Sequence, residues 1–284
     1  MNLPLLKKPV WIWTVPAYFY VGGVTGAALV LGAAAQIQGD EDLGSLIRTC
    51  RWIGVAGHAV SSAFLIVDLG RPERFLNMLR EFRPTSPLSV GSWVLALGGS
   101  AAGASVTLPK SAAAVAGLTA GVLGIPLAGY TGVLLVNSAI PVWHGARRSL
   151  PVLFVASAVA SCASLFELMD LSAREERIIQ RFGIAGKVAE LVAMTAVEAE
   201  LSGKEEVIRP LQSGFSGTLW TASKVLTAAS LALTLLPGKS KTRRLAGTLG
   251  TLAGIGLRFA VMYAGVSSSR LCTKRPGGPW SLDV

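Results

Sequence analysis

Charge is scarce in this chain: 15% of its 284 residues are Asp, Glu, Lys or Arg, against roughly a quarter in an ordinary soluble protein. The deficit is concentrated. No charged residue occurs between Lys8 and Asp40, nor between Lys110 and Arg147. About 20 apolar helical residues cross the hydrocarbon core of a bilayer, so each gap holds a spanning helix. Cysteine is also sparse. Cys50, Cys162 and Cys272 lie more than 100 residues apart, which excludes a CxxC unit and the ligand set of an iron–sulfur cluster on this chain. A cleavable signal peptide is not expected, because Lys7 and Lys8 lead into a long apolar stretch without a small-residue cleavage site.

What is abundant fits the same picture. Hydrophobic residues make up 51% of the chain and the mean hydropathy is +0.55. The net charge of +10 does not indicate nucleic-acid binding, because the cations sit between apolar segments rather than in a basic patch with interleaved aromatics. The partner these features select is the lipid bilayer. The expected fold is an all-α integral membrane protein, a single polytopic domain over residues 1–284. Eight transmembrane helices are expected near 15–38, 47–68, 89–107, 112–140, 150–170, 180–201, 213–236 and 245–266. The sixth is the least apolar, since it carries Lys187, Glu190 and Glu198. Eight spans put both termini on one face, side A. The cations divide almost evenly between side A and the opposite side B, so the positive-inside rule selects no orientation.

The most informative stretch is Asp68-Leu69-Gly70-Arg71-Pro72-Glu73-Arg74-Phe75, followed by Arg83-Pro84-Thr85-Ser86-Pro87-Leu88-Ser89-Val90-Gly91-Ser92-Trp93. Asp68 ends the second helix, Gly70 and Pro72 break it, and the arginines return the chain along the interface. On physics alone, a loop whose acid and arginines pair with one another is as good a reading as a site, because charges at a loop edge are cheap. Together with Trp11-Ile12-Trp13-Thr14-Val15-Pro16-Ala17-Tyr18-Phe19-Tyr20-Val21-Gly22-Gly23, Gly129-Tyr130-Thr131-Gly132-Val133-Leu134-Leu135 and Arg258-Phe259-Ala260, this pair of motifs resembles the NrfD/polysulfide reductase membrane-subunit family. The resemblance implies two four-helix bundles that exchange electrons between a membrane quinone, menaquinone or ubiquinone, and a ferredoxin-like iron–sulfur subunit. That partner in turn serves a molybdopterin catalytic subunit in a bacterial inner membrane. Phe75-Leu76-Asn77-Met78-Leu79-Arg80 is similar to the short form associated with formate dehydrogenase-type complexes.

The polar residues give a separate line of reasoning. Tyr18, Asp68, Tyr130, Asn137 and Arg258 all fall in the side A half of their helices, which suits a quinone headgroup pocket. Tyr130 is expected to donate to a quinone carbonyl, or else to be a core tyrosine. The resemblance places a quinone-contacting tyrosine in its motif. Tyr18 occupies a position where the family can carry a histidine, and a phenol with a pKa of about 10 suits hydrogen bonding better than proton exchange. Asp68 is expected either to exchange protons with the quinol or to orient Arg71 or Arg74. His58, mid-span, reads equally as a proton relay or as a structural histidine bonded to Ser61 or Ser62. No haem is expected, because the only other histidine, His144, falls in a loop, and no metal site is expected. Glu190, Glu198 and Lys224 are expected to neutralise one another; a proton path that leaves through Glu167 and Asp170 is the sharper alternative. Arg71, Arg74, Arg80, Arg83, Arg147 and Arg148 form the expected docking surface for the iron–sulfur partner, or else contact lipid headgroups. Two rival functions fit the same composition: a transporter built on broken helices such as the one containing Pro126, and an anchor without quinone chemistry.

Overall fold

In the computed structural model, residues 11–69, 79–236 and 240–269 are described, and these are helical with short connections. Eight long helices dominate: α1 (Thr14–Gln38), α2 (Gly44–Leu69), α3 (Pro87–Thr107), α4 (Lys110–Val136), α5 (Ser149–Glu167), α6 (Ala173–Leu201), α7 (Gly214–Leu235) and α8 (Ser240–Ser269). Short helices Pro141–Gly145 and Glu205–Gln212 lie in the connections before α5 and α7. The helix boundaries have local causes. Gly39, at φ 71°, closes α1 with its N–H on the Gln36 carbonyl, a left-handed cap that favours glycine. Ser86 accepts from the Ser89 amide ahead of Pro87 to start α3, and Ser172 with Glu175 forms a capping box on α6.

Helices α1 to α4 pack in sequence and close into a ring through α1 against α4; α5 to α8 repeat that pattern, closed by α8 against α5. The two four-helix bundles meet where α1 and α4 pack on α5 and where α1 packs on α8. Contacts at each end show that successive helices alternate in direction. On side A, Trp11 stacks on Trp143 with ring centroids 5.5 Å apart, and the Trp143 indole N–H donates to the Val261 carbonyl at 2.9 Å. On side B, Arg174 pairs with Asp40 at 3.1 Å, and Arg243 donates to the Met169 carbonyl at 2.7 Å.

Small residues set how closely the helices approach. A methyl on Gly26 would sit 2.5 Å from the Gly124 carbonyl oxygen, and one on Gly124 would sit 2.6 Å from that of Gly26. The α1 and α4 backbones therefore touch at this crossing, the way helices associate in lipid. The outer surfaces carry exposed Val115, Val122, Ile125, Val152, Val192 and Leu252, a lipid-facing belt.

Among the described residues, six helices are long and apolar enough to cross a membrane: α1, α2 (with the preceding turn), α3, α4, α5 and α8. The chain is thus a multi-pass membrane protein. α6 and α7 are not in that set: α6 carries charges along its whole length, and α7 carries Lys224 among several serines, threonines and glycines. Several boundaries differ from expectation: α6 begins at Ala173 rather than near 180, and α8 begins at Ser240 rather than near 245, because each helix opens with charged turns that a charge-free window leaves out. α4 ends at Val136, with Asn137 as its cap, and Pro141 begins the next short helix. Residues 137–140 are a turn between helices rather than a continuation of the span.

Candidate functional site

A groove of about 1040 Å³ opens between the two bundles. One wall is the second half of α4, with Pro126, Gly129, Tyr130, Val133 and Asn137, joined by Pro84, Thr85, Pro87 and Val90 at the start of α3. The other wall is α5, through Pro151, Val152, Val155, Ala156 and Val159, and α6, through Phe182, Ala185, Gly186 and Ala189. Its lining is apolar apart from a phenol, an amide and one threonine hydroxyl. Ligand sites are typically apolar clefts of about 300–1,000 Å³ with a few polar groups that fix orientation; this groove matches in size and chemistry.

Tyr130 lines the groove from α4. Its ring packs against Tyr18 of α1, centroids 6.4 Å apart in an edge-to-face arrangement, and both rings are largely buried. The fit depends on Gly91 in α3: a methyl there would come within 2.2 Å of the Tyr130 ring. The glycine of one sequence motif therefore makes room for the tyrosine of another. Asn137 stands at the side A mouth, exposed, its amide nitrogen donating to the Val133 carbonyl at 2.8 Å. The amide oxygen has no such intrahelical bond.

The other expected site residues lie elsewhere. Asp68 is half-buried at the end of α2, beside the Ile12 amide just before α1. Arg71 and Arg74, its proposed partners, lie outside the described residues. His58 is buried mid-way along α2, and its Nδ1 is 2.7 Å from the Gly54 carbonyl oxygen, which assigns the proton to Nδ1. That replaces the expected bond to Ser61 or Ser62. Nε2 faces Gly98 of α3, where a methyl would approach to 2.8 Å, and it has no protein partner. His144 is exposed in the short helix after α4.

Arg258 is fully buried and does not line the groove. It sits where α8 and α5 meet α1, its guanidinium carbon 4.1 Å from the centre of the Phe154 ring, Nη2 donating to the Phe154 carbonyl at 3.1 Å and 3.5 Å from where a methyl on Gly23 would lie. The five polar residues thus divide into Tyr130 and Asn137 along the groove, Tyr18 packed against Tyr130, Asp68 at the α1–α2 edge, and Arg258 behind α5. Among the expected docking residues, Arg80, Arg83, Arg147 and Arg148 are exposed on side A, with Arg83 paired to Glu81 at 2.6 Å.

The charges of the second bundle do not form the expected trio. Glu198 pairs with Lys224 at 2.7 Å and accepts from the Trp220 indole at 2.7 Å. Glu190 lies apart, with the Thr227 hydroxyl at 3.2 Å. Lys187 binds Glu167 instead, at 2.8 Å to both carboxylate oxygens. Asp170 is exposed at the side B surface, paired with Arg244 at 2.7 Å. Two features escaped the sequence reading: the α5–α6 wall of the groove and the Lys187–Glu167 pair. The wall had no signal beyond ordinary alanine and valine. The pair did have one, a lysine and a glutamate facing apolar neighbours in adjacent helices.

A family model described as polysulphide reductase, NrfD matches residues 4–268. No curated protein matches the chain.

Proposed function

The chain belongs to the NrfD polysulphide reductase family, whose members are membrane subunits of quinone-linked oxidoreductase complexes, and from that premise we propose that the groove between its bundles is the quinone site. In this reading all eight long helices cross a bacterial inner membrane. At about 1.5 Å per residue, α6 and α7 reach about 43 and 33 Å, enough for a hydrocarbon core of about 30 Å. Family members generally work with iron–sulfur and molybdopterin subunits. Here the iron–sulfur partner docks on side A against Arg80, Arg83, Arg147 and Arg148, and electrons pass between its cluster and the quinone. Formate dehydrogenase-type chemistry at the distant catalytic subunit is the finer form of the proposal.

The observation that carries this reading is the groove's composition: about 1040 Å³ of apolar space with a largely buried tyrosine on one wall. An isoprenoid tail needs an apolar slot reached from lipid, and a quinone carbonyl needs a donor. Quinone supplies the two-electron redox chemistry. The chain's own contribution is to hold the headgroup: the Tyr130 phenol donates to one carbonyl, Asn137 addresses the other end of the ring at the mouth, and the valine-rich walls exclude water. Edge-to-face packing on Tyr18 fixes the Tyr130 ring, so its hydroxyl direction is set before ligand binds.

The test uses the purified complex with a short-chain quinone analogue. A net hydrogen bond is worth about 1 kcal/mol, so Tyr130→Phe raises the KM for quinone about fivefold. Ala189→Trp, on a lipid-facing wall, blocks the groove and suppresses turnover. Dye-linked activity of the soluble subunits stays unchanged in both. Normal quinone turnover in Ala189→Trp overturns the site.

A further inference from the structure

Behind the groove, the second bundle contains a column of ionisable side chains that headgroup binding does not use. At side B a second cavity of about 190 Å³ is lined by Glu167, Glu176, Arg177, Gln180, Thr234 and Arg243, with apolar residues between them. Glu167 is its inner wall. Both carboxylate oxygens accept from Lys187 Nζ at 2.8 Å, and the Thr234 hydroxyl joins the pair, 2.7 Å from Nζ and 2.9 Å from Glu167 Oε1. Lys187 is fully buried.

Three residues further along α6, a rise of about 4.5 Å, Glu190 is buried as deeply. Every neighbouring helix turns a polar group towards it: Tyr20 from α1, Ser157 from α5, Thr227 from α7 and Arg258 from α8, with Lys187 on its own helix. Yet only one of its oxygens is bonded, by Thr227. Oε1 has no partner within 3.5 Å, although the Ser157 hydroxyl is turned towards the carboxylate; the hydroxyls of Ser161, Ser164 and Ser223, and Arg258 Nε and Nη1, have no protein partner either. Nearly all buried polar atoms bond to protein or ordered water. Partnerless groups this concentrated in one bundle are the groups that water along the column would satisfy. Towards side A the column stops. The next ionisable residue on α6 is Glu198, about 12 Å further along, which Lys224 and Trp220 already hold.

We propose that this column is a proton path open to side B and ending at Glu190, whose carboxyl alternates between protonated and ionised forms. A proton from the side B cavity enters on Glu167. Lys187 gives one of its protons to the Glu190 carboxylate through internal water, breaking an N–H bond and forming an O–H bond, and then regains a proton by way of the Thr234 hydroxyl, which accepts the proton held by Glu167 as it passes its own to Nζ. The net change is one proton moved from side B to Glu190; no electron moves. A purely structural ion pair would need neither an open cavity at Glu167 nor a third charge with a bare oxygen one turn away. The groove and the column share α5 and α6, with Ala189 in the groove wall and Glu190 next to it facing the bundle interior.

The test is infrared spectroscopy of the full-length chain in lipid nanodiscs, which needs neither quinone nor partners. A protonated carboxyl band that shifts when H₂O is exchanged for D₂O is expected in the native chain and is absent in Glu190→Gln. Glu167→Gln and Thr234→Val slow the shift about tenfold or more, as loss of a relay step raises the barrier. Thr234→Val keeps both charges, so it carries the test if Glu167→Gln does not fold. Circular dichroism confirms that each variant compared is helical. The proposal is overturned if the native chain shows no such band, if Glu190→Gln leaves the band unchanged, or if Thr234→Val exchanges at the native rate.

Discussion

At the scale of single residues, the groove depends on a side chain that is missing. Gly91 leaves the space that the Tyr130 ring fills, and a methyl there would come within 2.2 Å of it. Gly91→Ala therefore forces the ring or α3 to move. Overpacking of this kind costs about 1–3 kcal/mol, read as a lower thermal midpoint in detergent, and quinone-analogue affinity falls with it because the phenol loses its position. Gly99→Ala is a milder comparison, since its nearest contact would be 3.3 Å, to the His58 ring. Equal effects of the two substitutions would show that the Tyr130 slot has no special role. The Lys187–Glu167 pair makes a second prediction. Removing one partner of a buried pair leaves an uncompensated charge and costs about 3–5 kcal/mol, whereas replacing both is nearly neutral. Lys187→Met should unfold at a markedly lower temperature than the native chain, and Lys187→Met combined with Glu167→Met should recover most of the loss. A double variant no more stable than the single would show that the pair is not the coupled unit described.

At the scale of elements, charge-free windows locate the helices well because the bilayer penalises every charge inside a span. The start of α1 and the ends of α2 and α3 follow from that rule. The end of α4 does not, because Asn137 to Ile140 carries no formal charge while Asn137 and Ser138 already satisfy the backbone as a cap. Depth is therefore legible in the sequence, whereas direction around each helix axis is not. Tyr130 and Asn137, seven residues apart on α4, share the groove because seven residues is nearly two turns. Arg258 has a comparable depth but points to the other side of α5, and no single-helix argument reveals that. The same limit hides the α5–α6 wall, whose alanines and valines read like any lipid-facing surface. Trp143, in a five-residue helix too short to stand alone, shows how connections become structural: it is fully buried, stacks on Trp11 and bonds to α8. Trp143→Phe should cost about 1 kcal/mol for the lost bond and Trp143→Ala about 3–5 kcal/mol for the cavity, measured by thermal unfolding. Similar small losses for both would mean the ring does not pin the two bundles together.

At the scale of the whole molecule, the distribution of charge explains why six helices qualify as spans by hydropathy and eight are packed as though spanning. A charge at the centre of a lone helix costs at least about 2.5 kcal/mol, which is why α6 looks unfit to cross. In the folded bundle its charges face inward: Lys187 and Glu190 are buried against α5, α7 and α8, while Val188 and Val192 face outward. The penalty is offset by neighbours, so insertion of α6 depends on α5 and α7 being present. Labelling with a membrane-impermeant maleimide tests this in a background where Cys50, Cys162 and Cys272 are replaced by serine. If α6 and α7 both cross, Ser172→Cys and Ser240→Cys label from the same face as Ser111→Cys, which marks the α3–α4 turn on side B. Ser202→Cys and Ser213→Cys then label from the opposite face. If the pair lies along the surface instead, all five label from one face, the proton column loses its transmembrane setting, and the eight-span reading fails with it.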